Sequence, residues 1–186
     1  CERWRLGGGA CPYLREYPAL SRDTTALLWR LKDAVYARSR LTVVAPSTWL
    51  ETLVRESPLL GRFPVRRIPN GVDLGVFRPR PRAEARVRLG LPPDRPLLLF
   101  SALELGDRRK GAHVLVEALA RLVDVDFDIV TAGAQELELP RRVHSLGRLS
   151  DDDRMAAAYA AAALFVLPPL AENLPNALLE AIACGT

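Results

Sequence analysis

Histidine, cysteine and methionine are all scarce in this chain: two His, three Cys and one Met in 186 residues. Neither His113 nor His144 has a neighbour at the spacing that metal binding or triad chemistry needs, so both read as structural. Cys1, Cys11 and Cys184 are an odd number at unequal spacing. That excludes a disulfide framework and suits a reducing compartment, so a cytoplasmic protein is expected. Long apolar runs are missing too, and nothing approaches the roughly 20 residues of a spanning helix. The opening CERWRLGGG has neither the basic start nor the apolar stretch of a signal peptide, and no Met precedes it, so the chain reads as a piece of something longer. Gly7 to Gly9 are not followed by Gly-Lys-Ser/Thr, which rules out a phosphate loop there. Aromatic residues are only 6%, and Trp4, Trp29 and Trp49 lie too far apart for a base-stacking platform.

Charge is also undramatic. The net value is +4, carried by scattered arginines such as Arg62, Arg66, Arg67, Arg78, Arg80 and Arg82, with no dense basic block. Such a balance suits phosphates or peripheral association with an anionic membrane surface, at the inner face for a cytoplasmic protein, and does not call for nucleic acid. What the chain does have is apolar material, 49% of its residues, enough for a buried core.

Residues 1–22 show no period and read as loop. Asp23 or Thr24 can cap a helix to about Arg38, with Leu27, Leu28, Leu31 and Val35 at helical spacing. Leu41 to Ala45 form a short β-branched run ended by Pro46. A helix from Ser47 through Val54 and a strand at Val65 to Ile68 follow. Pro69, Asn70, Gly71, Pro79 and Pro81 then break the chain, which places a linker at 69–82 between a segment at 1–68 and a domain at 83–186. Beyond it, helices at 83–89 and 111–122 alternate with strands at 97–101, 126–131 and 143–146. Ser150 with Asp153 predicts a capping box for the helix through MAAAYAAAA, LFVLP is a strand, and Pro175 opens the last helix at its first position. The fold class is α/β, with a parallel sheet.

Two constellations carry chemistry. In LPPLAENLPNALLEAIACGT a strand, a turn with Glu172 and Asn173, and a helix bearing Glu180 follow one another. Helix amino ends stabilise phosphate, and ligands of open parallel sheets sit at the strands' carboxyl ends. Backbone amides near Asn173, Leu174 and Asn176 could therefore hold a diphosphate, Glu172 could accept bonds from sugar hydroxyls, and Glu180 could receive a ribose diol. The second is GDRRKG, where Lys110 stands at the start of a helix and can neutralise a diphosphate leaving group. Taken alone, the first pattern is as compatible with solvated helix-face residues as with a site, and the second reads more readily as a solvated surface loop.

These residues resemble a known family, the retaining GT-B glycosyltransferases of the family-four type, in particular the bacterial branch that builds exopolysaccharides and colanic-acid-like polymers. IPNGVDLGVFRP resembles the passage between the two Rossmann-like domains, RKG the phosphate-contacting segment, and the two Glu with seven residues between them the family signature. APSTWL and the opening CERW with CPYL are similar to the exopolysaccharide branch. The resemblance implies a truncated Rossmann-like donor domain after a remnant of the acceptor domain. It implies Glu172 on the donor sugar, Glu180 on the ribose, Lys110 on the diphosphate, and the amides of Asn173 and Leu174 on the distal phosphate. It also implies a nucleotide-diphosphate sugar as donor, a glycan or lipid-linked acceptor, retention of configuration and no required metal or other cofactor. A chain lacking most of its acceptor domain would turn over poorly.

Two departures stand out. Family members carry an Arg on the strand before the Lys; the matching FSALEL has none, so Arg108 or Arg109 would have to substitute. Related enzymes also have three Cys in their opening, with Gly8 here in place of the middle one, and two thiols cannot complete a tetrahedral zinc site. Two other readings share the features above: a non-catalytic nucleotide-sugar-binding module, and a GT-B sugar-nucleotide epimerase.

Overall fold

The computed structural model describes residues 1–15 and 19–186; the stretch of the expected opening loop at 16–18 lies outside the described residues. The chain divides into two compact units, Cys1–Pro69 and Asn70–Thr186.

In the first unit, β1 (Val43–Ala45) and β2 (Val65–Arg67) pair in parallel, joined by α2 (Thr48–Glu56). Ser47 caps α2 by accepting the Leu50 N–H at 3.1 Å. Ala45, Val54 and Val65 are its buried apolar side chains among the described residues. A short 3-10 turn, Arg3–Leu6, stands inside the expected loop, and α1 (Thr25–Tyr36) follows. The apolar stripe of α1 was expected to pack. Instead Leu27, Leu28, Leu31 and Val35 are exposed, and α1 is held through half-buried Trp29, whose indole donates to the Trp4 carbonyl at 3.1 Å, and Tyr36, whose ring meets Phe63 edge-on.

The second unit is a four-stranded parallel sheet in the order β5-β4-β3-β6, built from β3 (Leu97–Glu104), β4 (Asp128–Ala134), β5 (Val143–Ser145) and β6 (Leu164–Phe165). Strand periodicity sorts its side chains onto two faces. Leu97, Leu99, Val130 and Ala132 join a core with α3 (Arg82–Leu89), α5 (Asp152–Ala161) and α6 (Asn176–Cys184). Phe100 and Ile129 join another with Ala112, Leu115 and Leu119 of α4 (Ala112–Arg121). Full burial of a Leu or Phe side chain stabilises by about 1.5–3 kcal/mol, so these two layers, with helices on both faces, hold the unit together.

Several boundaries differ from the sequence reading for physical reasons. The residues expected as linker pack into the second unit: Phe77 is buried, its ring centroid 6.3 Å from that of Tyr159. The cap of α5 is Asp151, whose carboxylate accepts the Asp153 N–H at 3.0 Å, and not Ser150. Pro175 is the cap of α6 rather than its first residue, since its carbonyl accepts from Leu178 at 3.1 Å. β3 runs three residues past Ser101 by way of a bulge, with Ser101 opposite Ala132 and Glu104 opposite Ala134. Gly133 permits this, because a Cβ there would lie 2.0 Å from the Ala102 carbonyl oxygen.

His144 has a partner that spacing did not reveal. Its Nε2 lies 2.8 Å from the buried Asp128, which also pairs with Arg95 at 2.9 Å. Burial pushes the Asp128 carboxyl up, and the bonds from His144 and Arg95 outweigh it and hold the group below its ordinary value. Asp128 opens β4, so the cluster stands at the amino-terminal end of the strands.

Candidate active site

The strand order creates a crevice. From β3 the chain leaves toward α4 on one face, whereas β6, hydrogen-bonded beside β3, leads to α6 on the other. Neighbouring parallel strands whose connections diverge open a gap at their carboxyl ends, where open α/β sheets bind ligands.

Glycine sets how closely the two departing loops meet. Gly111 ends the 3-10 turn Arg108–Lys110 with φ +79°, and a Cβ on it would lie 1.7 Å from the Pro168 carbonyl oxygen. No other residue lets the turn lie against the loop after β6, a contact that the Leu170 N–H reinforces by donating to the Arg109 carbonyl at 3.0 Å. Lys110 is thereby carried to Glu172. The ammonium Nζ donates to Glu172 Oε2 at 2.6 Å, across 62 residues of sequence. That bond, more than any other influence, holds the Glu172 carboxyl below its ordinary value, so it is ionised at neutral pH.

A cleft of about 320 Å³ opens beside this pair, with Lys110, Glu180, Ser101, Tyr159, Arg148 and Ala177 in its lining. Glu180 enters from the first turns of α6. Burial pushes its carboxyl above the ordinary value, partly offset by the Tyr159 hydroxyl, which donates to Oε2 at 3.1 Å. The α6 amino end abuts the cleft through Pro175 and Ala177. The Leu178 N–H is bonded to Pro175, which leaves the amides of Asn176 and Ala177 as the leading unpaired donors of the helix.

The expected residues are thus only partly assembled. Lys110, Glu172 and Glu180 come together. The Asn173 backbone N–H is engaged by the Glu172 carboxylate. Leu174 and Asn176 are held by Asn70, whose amide donates to the Leu174 carbonyl at 3.1 Å and to Asn176 Oδ1 at 2.8 Å. Arg108 and Arg109, expected to replace a missing arginine, do not line the cleft. Arg109 is bound to Asp107 through 2.8 and 3.2 Å contacts, and Arg108 faces a separate depression with His113 and Glu117. The cleft's further cation is Arg148, in the loop after β5. The sequence reading missed it and Tyr159, although β5 ends at the same edge of the sheet as β3 and β6. Cys1 and Cys11 gain no third ligand: among the described residues no three His, Cys, Asp or Glu gather into a metal-holding group.

A doubly wound parallel sheet with a charged cleft at its carboxyl edge is a Rossmann-like domain, and its fold is GT-B-like. Residues 95–186 match the family described as "Glycosyl transferases group 1". D-inositol 3-phosphate glycosyltransferase 1 of Catenulispora acidiphila is 35% identical over 143 residues, 66% of this chain and 34% of that protein. Sucrose-phosphate synthase from Thermosynechococcus elongatus superposes with a TM-score of 0.72 at 28% identity, over 96% of this chain and 45% of that one. Anabaena HepE, solved in complex with UDP-glucose, shares the fold with a TM-score of 0.65 at 21% identity, over 84% of this chain and 46% of that one. The chain spans about a third of the length of the curated relatives it matches.

Proposed function

We propose that this chain is the donor-binding part of a cytoplasmic, retaining hexosyltransferase of polysaccharide biosynthesis, which takes its sugar from a nucleotide-diphosphate donor. The single observation that carries the reading is the meeting of Lys110 with Glu172, 2.6 Å apart, beside the cleft that Glu180 enters. A diphosphate seated between Lys110 and the α6 amides meets a cation and a helix amino end, which together stabilise the charge released as the bond from the anomeric carbon to phosphate oxygen breaks. Glu172, ionised beside Lys110, accepts bonds from donor-sugar hydroxyls, and Glu180 accepts the ribose diol. Arg148 supplies further positive charge at the cleft wall. Lys110 and the helix end provide the charge stabilisation without calling on a metal. The acceptor is a glycan or lipid-linked saccharide, met at the inner membrane face and bound largely by parts of the protein beyond this chain.

The names of the curated relatives favour a second acceptor reading, an inositol phosphate. Both readings share the donor. A thermal-shift panel of UDP-, GDP- and ADP-sugars on the chain is the test. One base class should raise the melting temperature, and the rise should disappear in Lys110→Ala and in Glu180→Ala. A panel without any shift, or shifts that survive both substitutions, contradicts the donor reading. Product analysis of the full-length enzyme with donor alone separates transfer from epimerisation.

A further inference from the structure

Tyr159 is the one large aromatic residue of an otherwise Ala-rich helix, and it is among the most deeply buried side chains of the second unit. Its ring is fixed on two sides. Phe165 meets it edge-on with centroids 5.3 Å apart, and Phe77 lies at 6.3 Å. Its phenol nevertheless reaches the cleft, donating to Glu180 Oε2 at 3.1 Å. A hydroxyl on a clamped ring is a fixed point, whereas a Glu side chain on a helix has several rotamers to choose among.

We propose that Tyr159 is a positioning residue for nucleoside recognition, its phenol holding one oxygen of Glu180 so that the carboxylate meets the ribose diol in a single orientation. The inference rests on the donor reading of the cleft. A carboxylate has about four acceptor sites, so one bond to Tyr159 leaves room for two hydroxyls. Fixing its orientation beforehand removes ordering that binding would otherwise have to supply. The same donor also offsets the burial that disfavours the ionised form of Glu180. Phe at this position would fill the space and keep both ring contacts while losing the pin.

The test compares UDP, GDP and ADP with their 2′,3′-dideoxy counterparts by calorimetric titration of the chain and its variants. In the unmodified chain the ribonucleotide of the preferred base should bind more tightly than its dideoxy form. Tyr159→Phe should weaken the ribonucleotide roughly tenfold and leave the dideoxy form unchanged, so that the preference collapses. Glu180→Asp, whose shortened carboxylate withdraws from the phenol, should lose the same preference. Adding Tyr159→Phe to Glu180→Ala should change nothing further. An intact preference in Tyr159→Phe, or a parallel weakening of both ligands, overturns the proposal by reducing Tyr159 to a packing residue. A preference intact in Glu180→Ala also overturns it, by removing Glu180 from the ribose, and leaves the diphosphate reading standing. Failure of the unmodified chain to bind any of the nucleotides brings down the donor reading and this proposal together.

Discussion

Helices α1 and α4 carry the same kind of apolar stripe, yet they end in opposite states. Leu115 and Leu119 of α4 are 3% and 2% exposed, whereas Leu31 and Val35 of α1 are 54% and 59% exposed. Both helices carry apolar residues at three- and four-residue spacing, so spacing alone does not decide burial. What differs is what each helix meets: α4 covers the Phe100 and Ile129 face of four strands, while α1 is held through Trp29 and Tyr36. Glycines differ one by one in either unit: a Cβ on Gly8 of the first would meet the Thr25 carbonyl oxygen at 2.8 Å, and one on Gly147 of the second would meet nothing within 4 Å. Gly111 and Gly7 both have positive φ, but a Cβ on Gly111 meets the Pro168 carbonyl and one on Gly7 meets nothing within 4 Å. Packing around Gly111 is what converts its local conformation into a fixed site.

Glycine replacement should produce the largest difference. Gly111→Ala adds a collision with backbone to an unfavourable φ and should cost several kcal/mol, roughly 3 or more. It should also abolish nucleotide binding by driving Lys110 from Glu172. Gly7→Ala faces only the left-handed penalty, about 1–2 kcal/mol. Urea denaturation of both variants checks the order, and equal losses would break the comparison.

Core truncation comes next. Leu119→Ala should cost about 2–5 kcal/mol, while Leu31→Ala should stay within about 0.5 kcal/mol. If Leu31→Ala proves equally costly, α1 has a partner and the two stripes are alike after all.

The smallest effect concerns carboxylates. Glu180 has its folded-state value raised, so the folded chain holds that proton more tightly than the unfolded chain. Stability from this group is therefore full below the ordinary carboxylate range and falls as pH rises through the raised value. Glu180→Gln removes that loss, so the variant should melt slightly above the wild type at neutral pH, with the gap closing in acid. Glu51→Gln in the first unit, which breaks only the surface pair with Arg55, should stay within about 0.5 kcal/mol. Melting curves across pH 4 to 8 would show a flat Glu180 difference if burial were not at work.

The sheet of the second unit was legible in the sequence because PLLLF and DIVTA are apolar or β-branched runs bounded by turn residues. Their ends were not, since the β3 extension depends on a bulge that only the neighbouring Gly133 makes room for. Helix caps were misplaced by one residue, where Asp151 competes with Ser150 and Pro175 serves as acceptor instead of first helical residue. Of the site, Lys110, Glu172 and Glu180 were legible as a lysine at a helix start, a glutamate at a strand tip and a glutamate on the last helix, with the family resemblance giving their roles, but no local pattern signals a contact across 62 residues. Arg148 and Tyr159 escaped because an arginine after a short strand and a tyrosine among alanines look ordinary until strand order and helix packing bring them to one cleft. The stripe of α1 misled for the converse reason, as periodicity states which face could be buried and not what is there to bury it.

A crystal structure of the chain with its preferred nucleotide-diphosphate sugar tests the central claim most directly. The expected result places the diphosphate within hydrogen-bond distance of Lys110 Nζ and the leading amides of α6, with the ribose hydroxyls on Glu180. A ligand seated elsewhere, for example in the apolar depression of the first unit between Trp4 and Trp29, would contradict it.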